Sequence, residues 1–201
     1  MLHYKQRDFF HHQFNIQILN TNRHDFIVNQ CKGKRILHIG CVDTFNYNIN
    51  NNLHMKLSKV CRLLHGFDIN IEGLNQLNVD CPSIYYASYT DILGNGIEYD
   101  IVIVPDVIEH VENVNDFITE LCQLSTSEYI ITAPDISLYP LHVKYVDGTV
   151  YEHVHGDHKA WYSPYTLYNT CKKLMNRSTT SDTCDMYLLR NTGTLALHIK
   201  G

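Results

Sequence analysis

The run YDIVIVPD, residues 99–106, constrains the fold most, because its central residues are apolar without interruption. A half-buried strand alternates apolar and polar side chains, whereas a strand covered on both faces is apolar throughout. The run therefore predicts a central strand of a parallel sheet. The chain has 201 residues, of which 44% are hydrophobic and 18% charged. It is long enough for one domain with a sizeable core.

Further strand-like and helix-like segments alternate along the chain. Strands alternating with helices are typical of βαβ units, which build a mostly parallel sheet with helices on both faces. We therefore predict an α/β fold, a Rossmann-like three-layer sandwich with an antiparallel C-terminal hairpin. The predicted helices are residues 23–30, 53–64, 72–77, 114–125 and 163–176; the other predicted strands are residues 35–40, 65–68, 83–92 and 128–135, and a hairpin closes around residues 191–193.

The sequence predicts a single domain over residues 1–201. Residues 1–32 are expected to form an N-terminal helical region, and residues 136–162 a long irregular segment. No repeat, linker or low-complexity segment divides the chain.

The predicted strands end mostly in carboxylates: the terminal residues are Gly40, Asp68, Asp91, Asp106 and Asp135. In open α/β sheets, ligands bind at the carboxyl ends of the strands. A glycine there lets the backbone approach a ligand closely. A carboxylate after the second strand can accept both hydroxyls of a ribose, and one after the third can accept from an exocyclic amine. The alternative for each aspartate is a cap on the following turn.

The loop GCVDTF, residues 40–45, lacks the later glycines of the G-x-G-x-x-G pattern. That pattern serves a pyrophosphate, which needs several bare amides at a helix N-terminus. A ligand without a pyrophosphate fits this loop better than a dinucleotide, and S-adenosylmethionine is such a ligand.

These segments together resemble class I S-adenosylmethionine-dependent methyltransferases. The resemblance lies in KRILHIGC, GFDIN, YTDI, YDIVIVPDVIEHVENVNDFI and EYIITAPD, and it extends from about Gly33 to Asp135. The family usually carries an acid where His38 stands and more glycines in the loop, so His38 or Asp43 is expected to supply the missing polar contact. The residues that the resemblance implies in binding S-adenosylmethionine are His38, Gly40, Cys41, Asp43, Asp68, Ile69, Asp91, Ile92, Asp106 and Val107.

A narrower similarity, which includes VHGDHKAWYSPYTL at residues 154–167, is to methyltransferases of polysaccharide and glycan biosynthesis. It implies O-methylation of a sugar or glycan precursor, with residues 136–162 on the acceptor side. Two alternatives stay open: a small-metabolite methyltransferase, and a non-catalytic module with a methyltransferase-like fold. The reduced glycine loop favours the module, whereas Asp68, Asp91 and the IEHV run favour an enzyme.

Histidines are concentrated in YEHVHGDHKAW, residues 151–161. A hydroxyl acceptor needs a base, and histidine has a suitable pKa. The predicted catalytic residues are His155, His158, Asp157 and His110. The histidines are equally compatible with turn caps, and His110 with a structural residue under the cofactor. His153, His155, Asp157 and His158 also have ligand types that suit a divalent metal, but closeness in sequence does not give geometry, and no metal is expected.

The remaining features restrict the partners and the compartment. The formal net charge is −5 and there is no basic run, so a small-molecule or glycan acceptor is expected and nucleic acid is not. The N-terminus does not resemble a signal peptide and no apolar run is long enough to span a membrane. Seven cysteines without a CxxC pair indicate reduced thiols and a cytoplasmic protein. The oligomeric state is not predicted.

Overall fold

A computed structural model describes residues 15–43, 51–138, 143–152, 154–177 and 183–201. Ten strands and six α-helices occur in these residues. The strands are β1 Ile16–Leu19, β2 Arg35–Ile39, β3 Leu63–Phe67, β4 Ile84–Tyr86, β5 Tyr99–Pro105, β6 Thr126–Pro134, β7 Val143–Val146, β8 Thr149–Glu152, β9 Thr183–Leu189 and β10 Thr194–Lys200. The helices are α1 Arg23–Cys31, α2 Leu53–Ser58, α3 Ile71–Asp80, α4 Tyr89–Gly94, α5 Val114–Leu121 and α6 Pro164–Cys171.

Eight strands form one mixed sheet in the order β1-β9-β10-β6-β5-β2-β3-β4. Strands β2 to β6 are parallel, and β10 is antiparallel to both of its neighbours, β6 and β9. This confirms the predicted α/β fold with its C-terminal hairpin. Because β2, β3 and β5 are parallel neighbours, residues that follow them lie at one edge of the sheet.

The apolar run of β5 is buried on both faces of the sheet, as predicted. Val102 and Val104 pack into the core on one face, whereas Ile101 and Ile103 pack into the core on the other. All four side chains are fully buried. The absence of alternation in the sequence therefore reflects helices on both sides of the central strand.

Each α-helix begins at a polar cap. The side chain of the cap accepts a hydrogen bond from the backbone N–H group of the residue three positions later, which satisfies one of the free donors of the first turn. At α6, Ser163 and Thr166 form a reciprocal capping box, and Pro164 occupies the first turn, as the sequence predicted. The caps are Asn22, Asn52, Asn70, Ser88, Asn113 and Ser163.

Two predicted elements extend into the helix or strand that follows them. The helix predicted over residues 53–64 ends at Ser58, and Leu63 and Leu64 belong to β3; their apolar side chains fit a helix face and a buried strand equally well. The third strand was predicted to end near Asp91, but β4 stops at Tyr86 and Ser88 caps α4. Asp91 therefore lies in the first turn of a helix, not at the end of a strand.

Two other regions also differ from the prediction. The segment predicted as irregular over residues 136–162 contains the hairpin β7–β8, whose turn at Asp147 and Gly148 has positive φ at both residues. The region predicted to be helical over residues 1–32 contains helix α1, but it also contains a strand, Ile16–Leu19, that pairs with β9 at the edge of the sheet. None of the helices in the described ranges is long and apolar enough to cross a membrane.

Candidate functional site

The loop after β2 passes closely beside the residues that follow β5. Gly40 has a φ of 72° and donates its N–H group to the carbonyl oxygen of Phe67 at 2.8 Å. A Cβ atom at Gly40 would lie 2.3 Å from Cγ2 of Val107. Position 40 thus requires glycine for two reasons: the backbone is left-handed, and Val107 approaches too closely for a side chain.

Asp68 connects this loop to the start of α3. Its Oδ2 atom accepts from the backbone N–H of Val42 at 3.0 Å, and its Oδ1 atom accepts from that of Asn70 at 2.9 Å. Burial raises the pKa of Asp68, although these backbone donors favour the ionised form. Gly40 and Asp68 therefore lie together at one edge of the sheet, as the predicted nucleoside site requires.

Asp106, after β5, is held from two sides. The hydroxyl of Thr132 on β6 donates to Oδ1 of Asp106 at 2.6 Å, and the guanidinium of Arg23 on α1 forms an ion pair with Oδ2. The backbone of Asp106 has a φ of 48°, which is uncommon for a residue other than glycine and is concentrated at functional sites. Strands β5 and β6 and helix α1 thus fix one carboxylate at the edge of the sheet.

His38, which stands where the resembling family usually has an acid, is buried in β2. Its Nδ1 atom lies 3.1 Å from Nδ1 of His54 on α2, and the two rings are stacked with centroids 5.3 Å apart. Burial holds the pKa of His38 well below its usual value and lowers that of His54 to about 4. The pair is therefore neutral at pH 7 and connects β2 to α2.

The other residues predicted to bind the cofactor differ in exposure. Cys41 is buried, Asp43 is exposed, and Ile69 is exposed beside Asp68 with 84% of its surface accessible. Asp91 is exposed on α4, and Ile92 is 3% exposed within the core. Ile92 therefore packs in the core from α4, which replaces the end of the predicted third strand, and its contact with the cofactor stays a prediction.

The predicted catalytic histidines converge in space. One ring nitrogen from each of His110, His155 and His158 lies within 4.8 Å of the others. Asp157 lies between two of them: its Oδ1 atom is hydrogen-bonded to His155 and lies 3.0 Å from Nδ1 of His110. We call His110, His155, Asp157 and His158 the histidine cluster. His153 lies outside the described residues.

The pKa values of two members of the cluster, His158 and Asp157, are lowered. Partial burial lowers the pKa of His158, and the neighbouring His110 and His155 lower it further. Partial burial opposes the ionisation of Asp157, but its hydrogen bond with His155 and the charge of His110 hold its pKa below the usual value. Asp157 is thus an ionised partner for imidazole rings.

Glu109 adds a second carboxylate beside the cluster. It is 1% exposed, and neither carboxylate oxygen has a hydrogen-bond partner within the described ranges. Its Oε1 atom lies 4.0 Å from Nε2 of His110. Burial raises the pKa of Glu109 to about 7, with the charge of Arg23 acting in the opposite direction. A buried carboxylate without donors is costly, so this group indicates a missing cationic or hydrogen-bonding partner.

Backbone hydrogen bonds bring the two halves of the cluster together. The carbonyl oxygen of Glu109 accepts from the N–H groups of Lys159 at 2.7 Å and Ala160 at 3.2 Å. The segment then reaches the residues that follow β6, where the N–H of Ile136 donates to the carbonyl of Tyr162 at 3.0 Å. The histidines of residues 155–158 therefore lie beside the loop after β5, close to the residues that contact Gly40.

Solved structures with the same architecture are found, although no family model matches the chain and no curated protein matches its sequence. A chain of the Pnkp1/Rnl/Hen1 RNA repair complex is 19% identical with a TM-score of 0.58; the match covers 89% of this chain but only 40% of that chain. An S-adenosylmethionine-dependent methyltransferase from Mesorhizobium loti is 13% identical, with a TM-score of 0.58 and 89% and 95% coverage.

A third neighbour is magnesium protoporphyrin IX methyltransferase from Synechocystis PCC 6803 with bound S-adenosylmethionine. It is 15% identical with a TM-score of 0.51, and the match covers 88% of this chain and 77% of that chain. The chain has the Rossmann-like methyltransferase fold. In this fold the Gly40 loop, Asp68 and Asp106 lie along the edge of the sheet where α/β proteins bind their ligands.

Sequence reasoning missed several residues of this methyltransferase-fold site. Arg23 lies on a helix ahead of every motif, and Thr132 appears in the sequence as an ordinary strand residue. Glu109 belongs to the quoted IEHV run, but nothing in the sequence indicates that it is buried without a partner. His54 gave no signal, because its pairing with His38 depends on the packing of α2 against the sheet.

Proposed function

We propose that the chain is an S-adenosylmethionine-dependent methyltransferase that transfers a methyl group to a hydroxyl of a sugar-containing acceptor. The observation that carries the proposal is the convergence of His110, His155, Asp157 and His158 beside the loop that follows β5. The methyltransferase fold and neighbours with bound S-adenosylmethionine support the cofactor. The narrower sequence resemblance to glycan enzymes supports a sugar acceptor.

The residues at the sheet edge fit this cofactor. The bare backbone of Gly40 leaves room for a ligand chain. The carboxylate of Asp68 has about four acceptor sites and accepts from the backbone N–H groups of Val42, Asn70 and Ile69, which leaves an acceptor site for a ribose hydroxyl. The exposed side chain of Ile69 offers an apolar surface to an adenine ring. When bound, S-adenosylmethionine supplies an electrophilic methyl group on a sulfonium that leaves as a neutral thioether.

The acceptor oxygen forms its bond to the methyl carbon as the carbon–sulfur bond breaks, and the acceptor must lose its hydroxyl proton. An imidazole of the histidine cluster can receive that proton, because a neutral histidine nitrogen is a base suited to neutral pH. Asp157 orients His155 through their hydrogen bond and stabilises a positive charge on it. Alignment of the acceptor supplies much of the remaining rate enhancement.

A second role for the same cluster, metal binding, is favoured by Glu109. One nitrogen from each of the three imidazoles lies within 4.8 Å of the others, and the carboxylate of Glu109 is a further oxygen donor 4.0 Å from Nε2 of His110. Nitrogen and oxygen donors of this kind suit a divalent transition metal better than Mg²⁺ or Ca²⁺. His110, His155, His158 and Glu109 would hold the ion. It would lower the pKa of a hydroxyl that approaches the site. A cation bound in the cluster would offset the cost of ionising the buried carboxylate of Glu109.

Two classes of acceptor molecule are candidates, and each offers a sugar hydroxyl. A glycan precursor or nucleotide sugar follows from the sequence resemblance. The ribose of RNA is the second candidate, because the structural neighbour with 19% identity belongs to an RNA repair complex. The net charge of −5 favours the first. The alternative to an enzyme is a non-catalytic module that keeps the fold without cofactor binding.

Calorimetric titration with S-adenosylhomocysteine tests the cofactor. Binding in the micromolar range supports the proposal. If the protein does not bind this ligand, the result supports the non-catalytic module instead. Trp161 is the only tryptophan of the chain, and its ring centroid lies 5.6 Å from that of His158. Binding of Mn²⁺ or Zn²⁺ at the cluster should therefore change the Trp161 fluorescence. If the change is absent in a variant such as His158→Ala, the metal is assigned to the cluster.

Transfer of a labelled methyl group to nucleotide sugars, oligosaccharides, RNA and DNA of equal sequence tests the acceptor. Activity on RNA but not DNA assigns the ribose 2′-hydroxyl, and activity on sugars alone assigns the glycan precursor. Loss of activity in His155→Ala and His158→Ala is expected, with His198→Gln as the matched control. His198 also pairs with a carboxylate, Glu128 at 2.9 Å, but does so away from the site. Full activity in both cluster variants would remove these histidines from the mechanism.

A further inference from the structure

The ion pair between Arg23 and Asp106 lies beside the loop expected to pass the methionine part of the cofactor. Val107, the residue after Asp106, covers Gly40. The charge of Asp43, in the same loop, also acts on Arg23. Arg23 is therefore a cation near the glycine loop, at the edge where the cofactor tail is expected.

Both partners of the pair remain partly accessible. The side chain of Arg23 is 26% exposed and that of Asp106 is 22% exposed. A guanidinium has five N–H donors and an ionised carboxylate about four acceptor sites, so neither group is saturated by their single pairing. Each can accept a ligand without first losing its present partner.

The pair is built into the fold and is not a chance surface contact. Thr132 holds Oδ1 of Asp106 at 2.6 Å, and the N–H of Asp106 donates to the carbonyl and hydroxyl oxygens of the same threonine. This bonding maintains the left-handed backbone of Asp106 and directs its second oxygen towards α1. Arg23 in turn is fixed at the first residue of a capped helix.

We propose that Arg23 and Asp106 together bind the zwitterionic amino-acid tail of S-adenosylmethionine, Arg23 receiving the carboxylate and Asp106 the ammonium. The inference rests on the proposed function, because it assigns contacts to that cofactor. An ion pair next to a bare loop is complementary in charge to an α-amino acid, which carries one group of each sign.

Three ligands separate the two contacts. S-adenosylhomocysteine carries both charged groups, decarboxylated S-adenosylhomocysteine carries the amine alone, and 5′-methylthioadenosine carries neither; all three are thioethers. We expect Arg23→Gln to weaken S-adenosylhomocysteine by about 10- to 100-fold and to leave the other two within about twofold. Asp106→Asn should weaken both amine-bearing ligands by a similar factor and leave 5′-methylthioadenosine unchanged. Arg23→Lys keeps the charge and should lose less than Arg23→Gln.

Binding of 5′-methylthioadenosine by each variant shows that the variant is folded. Arg35→Gln is the matched control, because Arg35 also pairs with an aspartate, Asp100 at 2.8 Å, near the starts of β2 and β5. These are the ends of the strands away from Gly40 and Asp106, so the variant should leave all three affinities unchanged. Equal losses for all three ligands in Arg23→Gln, or none, overturn the inference while the proposed function stands. A wild-type chain that does not bind S-adenosylhomocysteine overturns both.

Discussion

The Cγ2 atom of Val107 occupies the space in which a side chain at Gly40 would begin, 2.3 Å from the ideal Cβ position. This contact joins the loop after β2 to the turn after β5. Val107 is β-branched and has few alternative rotamers, so it cannot move aside easily. The contact makes Gly40 the most sensitive glycine of the candidate site.

Gly40→Ala is therefore expected to destabilise the protein by about 2–4 kcal/mol, from the left-handed backbone and from overpacking against Val107. Gly33→Ala isolates the first cost, because Gly33 has a φ of 70° but no atom within 4 Å of its ideal Cβ; about 1–2 kcal/mol is expected. Urea unfolding measures both variants.

The second cost is tested by the double variant Gly40→Ala/Val107→Ala, which should recover about 1 kcal/mol relative to additivity. Gly94→Ala, at the end of α4 with no neighbouring atom within 4 Å, should be neutral or slightly stabilising. Equal costs at Gly40 and Gly33 would show that the contact with Val107 is unimportant.

Asp68→Ala is expected to weaken S-adenosylhomocysteine binding by about 100-fold. The variant lacks the acceptor proposed for the ribose hydroxyls, and it also loses the bond that the N–H of Val42 donates to Asp68. Asp91→Ala should change the affinity by less than about threefold, since Asp91 is exposed on α4. Calorimetry compares the two. A large effect at Asp91 would mean that α4 contributes more to the adenine site than its exposed position indicates.

Acid should destabilise the fold through His54. Burial lowers its pKa to about 4, so between pH 6.5 and 4 the unfolded chain binds the proton and the folded chain does not. The contribution of His54 to the free energy of unfolding is therefore full above pH 6.5. It decreases as the pH falls, by about 3 kcal/mol at pH 4. The lowered pKa of His38 acts in the same direction.

Thermal unfolding at pH values from 7 to 4 measures this effect. His54→Gln, which keeps a hydrogen-bonding group without a titrating one, should flatten the dependence. A wild-type slope that persists in His54→Gln would assign the acid sensitivity to other groups.

Glu109→Gln should reduce Mn²⁺ or Zn²⁺ affinity by about 10- to 100-fold, because an amide replaces a charged ligand. The same variant should bind 5′-methylthioadenosine with unchanged affinity, since that ligand has no charged tail to meet Arg23, on which the charge of Glu109 acts. Trp161 fluorescence measures the first and calorimetry the second. Unchanged metal affinity would leave the partnerless carboxylate unexplained and favour the imidazole base over the metal.

The sequence by itself determined the architecture around β5. An uninterrupted apolar strand has one physical explanation, burial on both faces, and alternating helices and strands then require parallel crossovers. The positions of Gly40, Asp68 and Asp106 at one edge follow, because parallel neighbours end on the same side. Ser163 and Pro164 likewise predicted the start of α6, because capping depends on local chemistry alone.

Tertiary structure decided the partners within the site. Arg23 reaches Asp106 from a helix more than eighty positions earlier in the chain, and His110 meets His155 only because Glu109 bonds the backbone of Lys159. Local pattern also failed where two structures satisfied it equally, as at Leu63 and Leu64. Side-chain pairing and pKa depend on distances across the fold, and these distances are set by packing, which no stretch of sequence contains on its own.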